Sequence, residues 1–187
     1  MIGERPATIE TARLSLVVLL PREVRALISR DIDSASDQVG VSFPAGWPED
    51  VEAREGLPWH LGHLEGDERH RAWRIRVVVE RTSGTVVGSV NLKGPPDNAG
   101  DVEIGWGISS NWRRRGYAYE AASAVIDWAA NQPGTRSVSA AIADGNEASQ
   151  GLAVKLGLAR TAHMRRGGAV WRRPTSRYGG PGEDPES

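Results

Sequence analysis

The chain has 187 residues, with 23 Lys and Arg against 24 Asp and Glu, a net charge of −1, 4 histidines and no cysteine. That length supports one domain with a real core, and the balanced charge argues against a general nucleic-acid binder. The absence of cysteine excludes disulfides, thiolate nucleophiles and cysteine-ligated zinc. No apolar run is long enough to span a bilayer, and no basic-then-apolar signal segment opens the chain, so a cytoplasmic protein without a membrane partner is expected.

Residues 1–8 read as a flexible lead-in and PTSRYGGPGEDPES, 174–187, as a disordered tail, leaving one domain over 9–173. RLSLVVL, from Arg13, predicts a first strand. Pro21 suits a first helical turn, with Val24, Leu27 and Ile28 as its apolar stripe. Pro and Gly punctuate 34–70, which predicts short helices and loops. AWRIRVVVE, from Ala72, alternates, with Trp73, Ile75, Val77 and Val79 on one face; TSG turns the chain and TVVGSVNL returns as a hairpin. GPPDNAGD leads to a further strand, VEIGWGIS, from Val102. A helix follows through Ala118, Ala121, Ala122, Val125 and Ala129 and ends at Gln132-Pro133-Gly134. SVSAAIA, from Ser137, is a short strand. NEASQGLAVKLG is a helix with Asn146 as N-cap, Ala148, Leu152 and Leu156 as its stripe, and Gly157 as C′ residue. Two strands near 158–164 and 169–173 complete a mixed α/β sheet.

The segment RRRGYAYEA places Arg113, Arg114, Arg115 and Gly116 between a strand and a helix. The first N–H groups of a helix lack intrahelical acceptors and carry the positive end of its dipole. Gly116 permits close backbone approach, and the arginines add forked donors suited to phosphate oxygens. The alternative is a solvated loop. Neither GxxxxGK[ST] nor GxGxxG is present.

RRRGYA resembles the R/Q-x-x-G-x-G/A signature of the GNAT acyl-CoA N-acyltransferases, with Arg113, Gly116 and Ala118 in the key places. EIGWGISSNWRRRGYAYEA and ADGNEASQGLAVKLGLAR resemble two blocks of the branch that includes the ribosomal-protein N-terminal acetyltransferases. The resemblance covers 9–173 in element order and is specific in sequence across about 86–158. It implies a mainly antiparallel sheet with two central strands splayed around the cofactor and helices on both faces. It further implies that Arg113, Arg114, Arg115, Gly116, Tyr117 and Ala118 bind the diphosphate of acetyl-CoA. The pantetheine arm would lie between strands 102–109 and 137–143, pairing near Ile108 and Ser109 and touching Asn146. Ser149 would lie near the sulfur. The second place of the turn, often glycine in this branch, is Arg114 here.

The implied reaction moves an acetyl group to a primary amine, on a protein N-terminus or a small molecule. Without cysteine, an acetyl-cysteine intermediate is impossible, which favours direct transfer. Glu103 is the candidate base: it shares a strand face with Gly105 and Gly107, which clear space beside it. Its alternative is a structural glutamate held by backbone donors or an arginine. Asn146 and Ser149 are equally explained as N-cap and N3. No tyrosine follows the second helix closely, and TAHMRRGGAV carries glycine and arginine where the ribosomal-protein enzymes tend to place a second acid. A non-catalytic acyl-CoA-binding module is therefore the alternative function. His163 is an alternative base. His60, His63 and His70 with Glu65 and Asp67 lack a recognised ligand pattern, and Pro58 disrupts their segment, so no metal is expected. Phe43, Trp47 and Trp59 lie where the acceptor pocket is expected. A monomer and a homodimer fit equally.

Overall fold

The alternating segments form one eight-stranded sheet in a computed structural model, which describes residues 5–48 and 51–175. The strands are β1 (Ile9–Glu10), β2 (Leu14–Val18), β3 (Ile75–Glu80), β4 (Thr85–Leu92), β5 (Asp101–Ile108), β6 (Ser137–Ile142), β7 (Ala159–Arg165) and β8 (Gly168–Pro174). Their spatial order is β1-β2-β3-β4-β5-β6-β8-β7, and every neighbouring pair is antiparallel except β5 with β6. The helices are α1 (Pro21–Ile28), α2 (Ile32–Val39), α3 (Val51–Gly66), α4 (Tyr117–Ala130) and α5 (Glu147–Lys155).

Helices cover both faces, as expected. Ala121, Ala122, Val125, Ile126 and Ala129 of α4 pack on Val90, Leu92, Val102 and Ile104. The small alanines let the helix lie close to the sheet. On the opposite face Val24, Leu27, Leu57 and Leu64 meet Ile75, Val77 and Val79. β3 is therefore buried on both sides, although its sequence alternates. Its alternating partner is Arg76, 1% exposed and stacked 5.3 Å from the Trp128 ring.

The segment 34–70 departs from the expected short helices and loops. α3 runs 16 residues straight through Pro58. Leu57, His60 and Leu64 are buried along one side while Pro58 faces solvent. Tertiary packing of that stripe offsets the roughly 3 kcal/mol an internal proline costs. On α5 the stripe is rotated: Ala148 is exposed and Ala153 is buried with Leu156. The rotation brings Ser149, half-buried, onto the inward face. Within the expected lead-in, Arg5 forks onto the fully buried Glu23 at 2.9 and 2.6 Å. Thr175 N–H donates to Arg136 O at 2.8 Å, and the remainder of the expected tail, 176–187, lies outside the described residues.

β5 and β6 pair over only three rungs, Asp101↔Ser137, Val102↔Val138 and Glu103↔Ser139. Beyond them β5 stays with β4 as far as Ile108, and β6 stays with β8 as far as Ile142. The sheet therefore opens into a wedge. At its closed end the buried Asp101 carboxylate accepts from Ser137 Oγ at 2.7 Å and Ser139 Oγ at 2.6 Å. Arg172 Nε lies 3.1 Å from the same carboxylate. Asp101→Ala would leave the buried Ser139 hydroxyl without its acceptor and Ser137 held by Arg172 alone, and we expect a stability loss of about 2 kcal/mol in urea unfolding. An unchanged midpoint would show that this network does not hold the wedge.

Candidate active site

The wedge opens onto a cavity of about 410 Å³. Backbone direction explains one of its walls. Lys93 N–H donates to Glu103 O and Ser109 N–H to Val87 O, both at 2.9 Å, so the odd-numbered groups of β5 face β4. By alternation, the N–H and C=O of Trp106 and Ile108 face the opening. Ile108 O accepts from Arg113 Nε at 2.9 Å. Of the two positions expected to pair with a cofactor arm, Ile108 thus faces the gap, whereas Ser109 uses its N–H on β4. Trp106, which sequence reasoning did not single out, is the second gap-facing position.

Side chains build the other wall. Register places Ser89 opposite Gly107 and Asn91 opposite Gly105, and Lys93 continues this ladder opposite Glu103. All six line the cavity. A Cβ on Gly105 would lie 3.1 Å from Asn91 Oδ1, while one on Gly107 would meet nothing within 4 Å, so Gly107 leaves open space. The alternation of SVNLK could have revealed the Ser89, Asn91 and Lys93 face from sequence.

Glu103 lines the cavity and is mostly buried. Arg165 Nη1 donates to its Oε2 at 2.7 Å and Arg166 Nη1 to its Oε1. Arg165 ends β7 and Arg166 opens the β7–β8 turn, a stretch whose sequence had signalled only a missing acid. The carboxylate thus sits where a base would be useful and is also gripped by guanidinium groups. Asn146 and Ser149 line the same cavity, with Ser149 N–H donating to Asn146 Oδ1 at 3.0 Å. His163 is exposed on β7 and does not line it.

His60 closes the far side and is 3% exposed. Burial, then the charges of Lys93, Arg74 and His63, push its pKa down to about 3. Its ring is neutral, and Nδ1 has no hydrogen-bond partner. Trp47 also lines the cavity, edge-on to Phe43 at 5.0 Å between centroids. Trp59 is partly exposed beneath Lys93, whose Nζ lies 5.1 Å from its ring centroid. His63 Nδ1 bonds to Trp59 O. Among the described residues no group of three His, Asp or Glu could share a metal ion.

The basic turn lies beyond the end of β5. Gly116 is the N-cap of α4 at φ +81°, with no side-chain cap. Glu120 N–H makes the first helical bond, to Gly116 O at 3.1 Å, so the N–H groups of Tyr117, Ala118 and Tyr119 precede it. Arg114 has φ +60°, the left-handed region that explains why glycine suits its place. Arg113, Arg114 and Arg115 are exposed, and among the described residues none pairs with a carboxylate. Arg115 instead lies 4.9 Å over the Trp112 ring.

Arg13, unnoticed in the sequence, supports this turn. It donates to Arg115 O at 2.9 Å, forks onto Glu120 and stacks 4.6 Å from the Tyr117 ring. Tyr117 is buried, so its backbone rather than its ring serves the helix entrance. Burial raises the Glu120 pKa, but bonds from Thr11 and Arg13 outweigh it and leave the group below its ordinary value. The one acid in the first turn is thereby neutralised.

The profile of the acetyltransferase (GNAT) domain matches residues 13–159. The chain belongs to the GNAT family. An uncharacterized N-acetyltransferase of Bacillus subtilis, YjdG, is 28% identical over 149 residues, covering 80% of this chain and 88% of its own. The same fold occurs in the ribosomal-protein-S5-alanine acetyltransferase from Vibrio fischeri, with a TM-score of 0.62 at 16% identity over 92% of this chain and 99% of that one. It also occurs in RimL, a ribosomal L7/L12 α-N-protein acetyltransferase solved with coenzyme A, with a TM-score of 0.60 at 16% identity over 90% and 98% of the two chains. Among the described residues no helix of this GNAT protein is long and apolar enough to cross a membrane.

The neutral His60 gives this GNAT domain a specific pH signature. Its folded pKa of about 3 lies below the ordinary 6.5, so the unfolded chain binds the extra proton between those values. Stability attributable to this site is complete above pH 6.5 and falls as pH drops toward 3, by up to about 1.4 kcal/mol per pH unit. Denaturation of His60→Gln at a series of pH values should show a shallower acid decline than the parent. Parallel declines would place the His60 titration elsewhere.

Proposed function

We propose that this GNAT-fold acetyltransferase moves an acetyl group from acetyl-CoA to a primary amine by direct transfer in a ternary complex. The observation that carries this reading is the wedge between β5 and β6, which leads from the uncapped entrance of α4 to the cavity holding Glu103. The free N–H groups at that entrance, and guanidinium groups that among the described residues have no carboxylate partner, suit a diphosphate. The gap-facing backbone of Trp106 and Ile108 suits an extended, amide-bearing arm. RimL, which shares this fold, was solved with coenzyme A, and that likeness supports coenzyme A as the carrier of the acetyl group.

The bound co-substrate supplies an activated thioester. The amine nitrogen forms a bond to the acyl carbon, the carbon–sulfur bond breaks, and its electron pair leaves with sulfur. Glu103 takes the amine proton, directly or through a water, and Ser149 or a water it orders returns a proton to sulfur. Arg165 and Arg166 fix the orientation of the Glu103 carboxylate. A gap-facing N–H of β5 is the available donor for charge developing on the acyl oxygen.

The double grip on Glu103 also favours a second reading, an acyl-CoA-binding module without turnover. Release of free thiol on mixing protein, acetyl-CoA and a panel of primary amines separates the two. Glu103→Gln should lower kcat about 100-fold with acetyl-CoA affinity intact. Unchanged turnover would remove Glu103 as the base. Gly116→Glu should abolish acetyl-CoA binding in calorimetry, because a left-handed residue gains a side chain 3.3 Å from Arg13 and a charge repelling phosphate. Gly116→Ala should lose less. Undiminished binding by a folded Gly116→Glu would overturn the assignment of this turn.

A further inference from the structure

The cavity's charges and orphaned polar atoms go further than the family does in describing the acceptor. Among the described residues its lining holds Lys93, Arg165 and Arg166 against the one carboxylate of Glu103, an excess of two positive charges. Arg74 adds to this from behind, donating to Lys93 O at 2.6 Å. His60 contributes no compensating charge.

Lys93 is the least satisfied of these cations. Its Nζ lies 5.1 Å from the Trp59 ring centroid, and the carboxylate opposite it, Glu103, is gripped by both arginines. Burial, more than the Glu103 charge opposes it, holds its pKa below the ordinary lysine value. A partly desolvated cation without a partner of its own is an anion-binding group. Two further lining atoms lack partners. His60 Nδ1 and Asn91 Oδ1 are buried and, among the described residues, have no hydrogen-bond partner. A neutral imidazole and an amide oxygen can both accept from an amine N–H. Orphaned buried polar atoms are costly unless a ligand satisfies them.

Resting on the acetyltransferase reading of this site, we infer that the acceptor is a primary amine carrying its own carboxylate, in the manner of an amino acid. Its amine is met by the acceptor atoms of His60 and Asn91, and its carboxylate by Lys93 and the unspent donors of the arginine pair. The excess positive charge rejects polyamines and other polycationic acceptors, since each added ammonium meets like charge in a low-dielectric pocket.

The test compares the common amino acids with their carboxamides, and with spermidine, as acceptors for the full chain and acetyl-CoA. The free acids should exceed the amides at least 10-fold in kcat/KM, with spermidine below both. Lys93→Gln should shrink that ratio to 3-fold or less through KM, with acetyl-CoA affinity unchanged. Calorimetric titration of the same acids and amides into protein holding CoA reads the preference without turnover. A carboxylate preference there with no thiol release would support the inference and defeat acetyl transfer. Equal binding and equal turnover of acids and amides, or preference for spermidine, would overturn it while leaving acetyl transfer intact.

Discussion

The structure depends on a sheet that stops pairing along a line. Unpaired backbone inside a protein is costly, so strands adjoining a gap must be held from elsewhere. Here each is fastened on its outer side. Gly88 lies so close to β5 that a Cβ would sit 2.2 Å from Gly107 O. Gly168 lies so close to Ile142 of β6 that a Cβ would sit 2.7 Å from its carbonyl carbon. Asp101, with Ser137 and Ser139, ties the two strands where they still meet. These contacts let β5 and β6 diverge without unravelling.

The two ends of the wedge use charge differently. At the α4 entrance the arginines are exposed, and Arg13 pairs with Glu120, the acid in the first turn. Water screens each such charge, so attraction there needs several guanidinium groups acting with a helix dipole. In the cavity Lys93 and Arg165 are partly buried and Arg166 is exposed. Lys93, Arg165 and Arg166 surround Glu103, and His60 is kept neutral by burial. Among the described residues, both the entrance and the cavity thus carry more positive than negative side chains.

Much of this was legible in local pattern. The alternation of AWRIRVVVE and TVVGSVNL identified the hairpin, Asn146 and Gly157 marked the bounds of α5, and Gly116 with its arginines marked the opening of α4. Each is a short-range property: period, cap and turn depend on residues a few positions apart. The order of these elements, with the resemblance of two blocks, was enough for the family. Local pattern failed at Pro58, because propensity cannot weigh an intrinsic cost against a buried stripe, and at Ala148, because the helix face that turns inward is chosen by its neighbours.

The amino-acid sequence by itself determined the element order, the mixed sheet, the basic helix entrance and the placing of Glu103 beside two glycines. Only the tertiary structure decided what surrounds Glu103. Arg165 and Arg166 lie 62 and 63 residues away in the chain, and Lys93 and His60 arrive from two further elements. Charge and desolvation act through space, so the acceptor chemistry belongs to the packing of distant segments and cannot be read from any one of them.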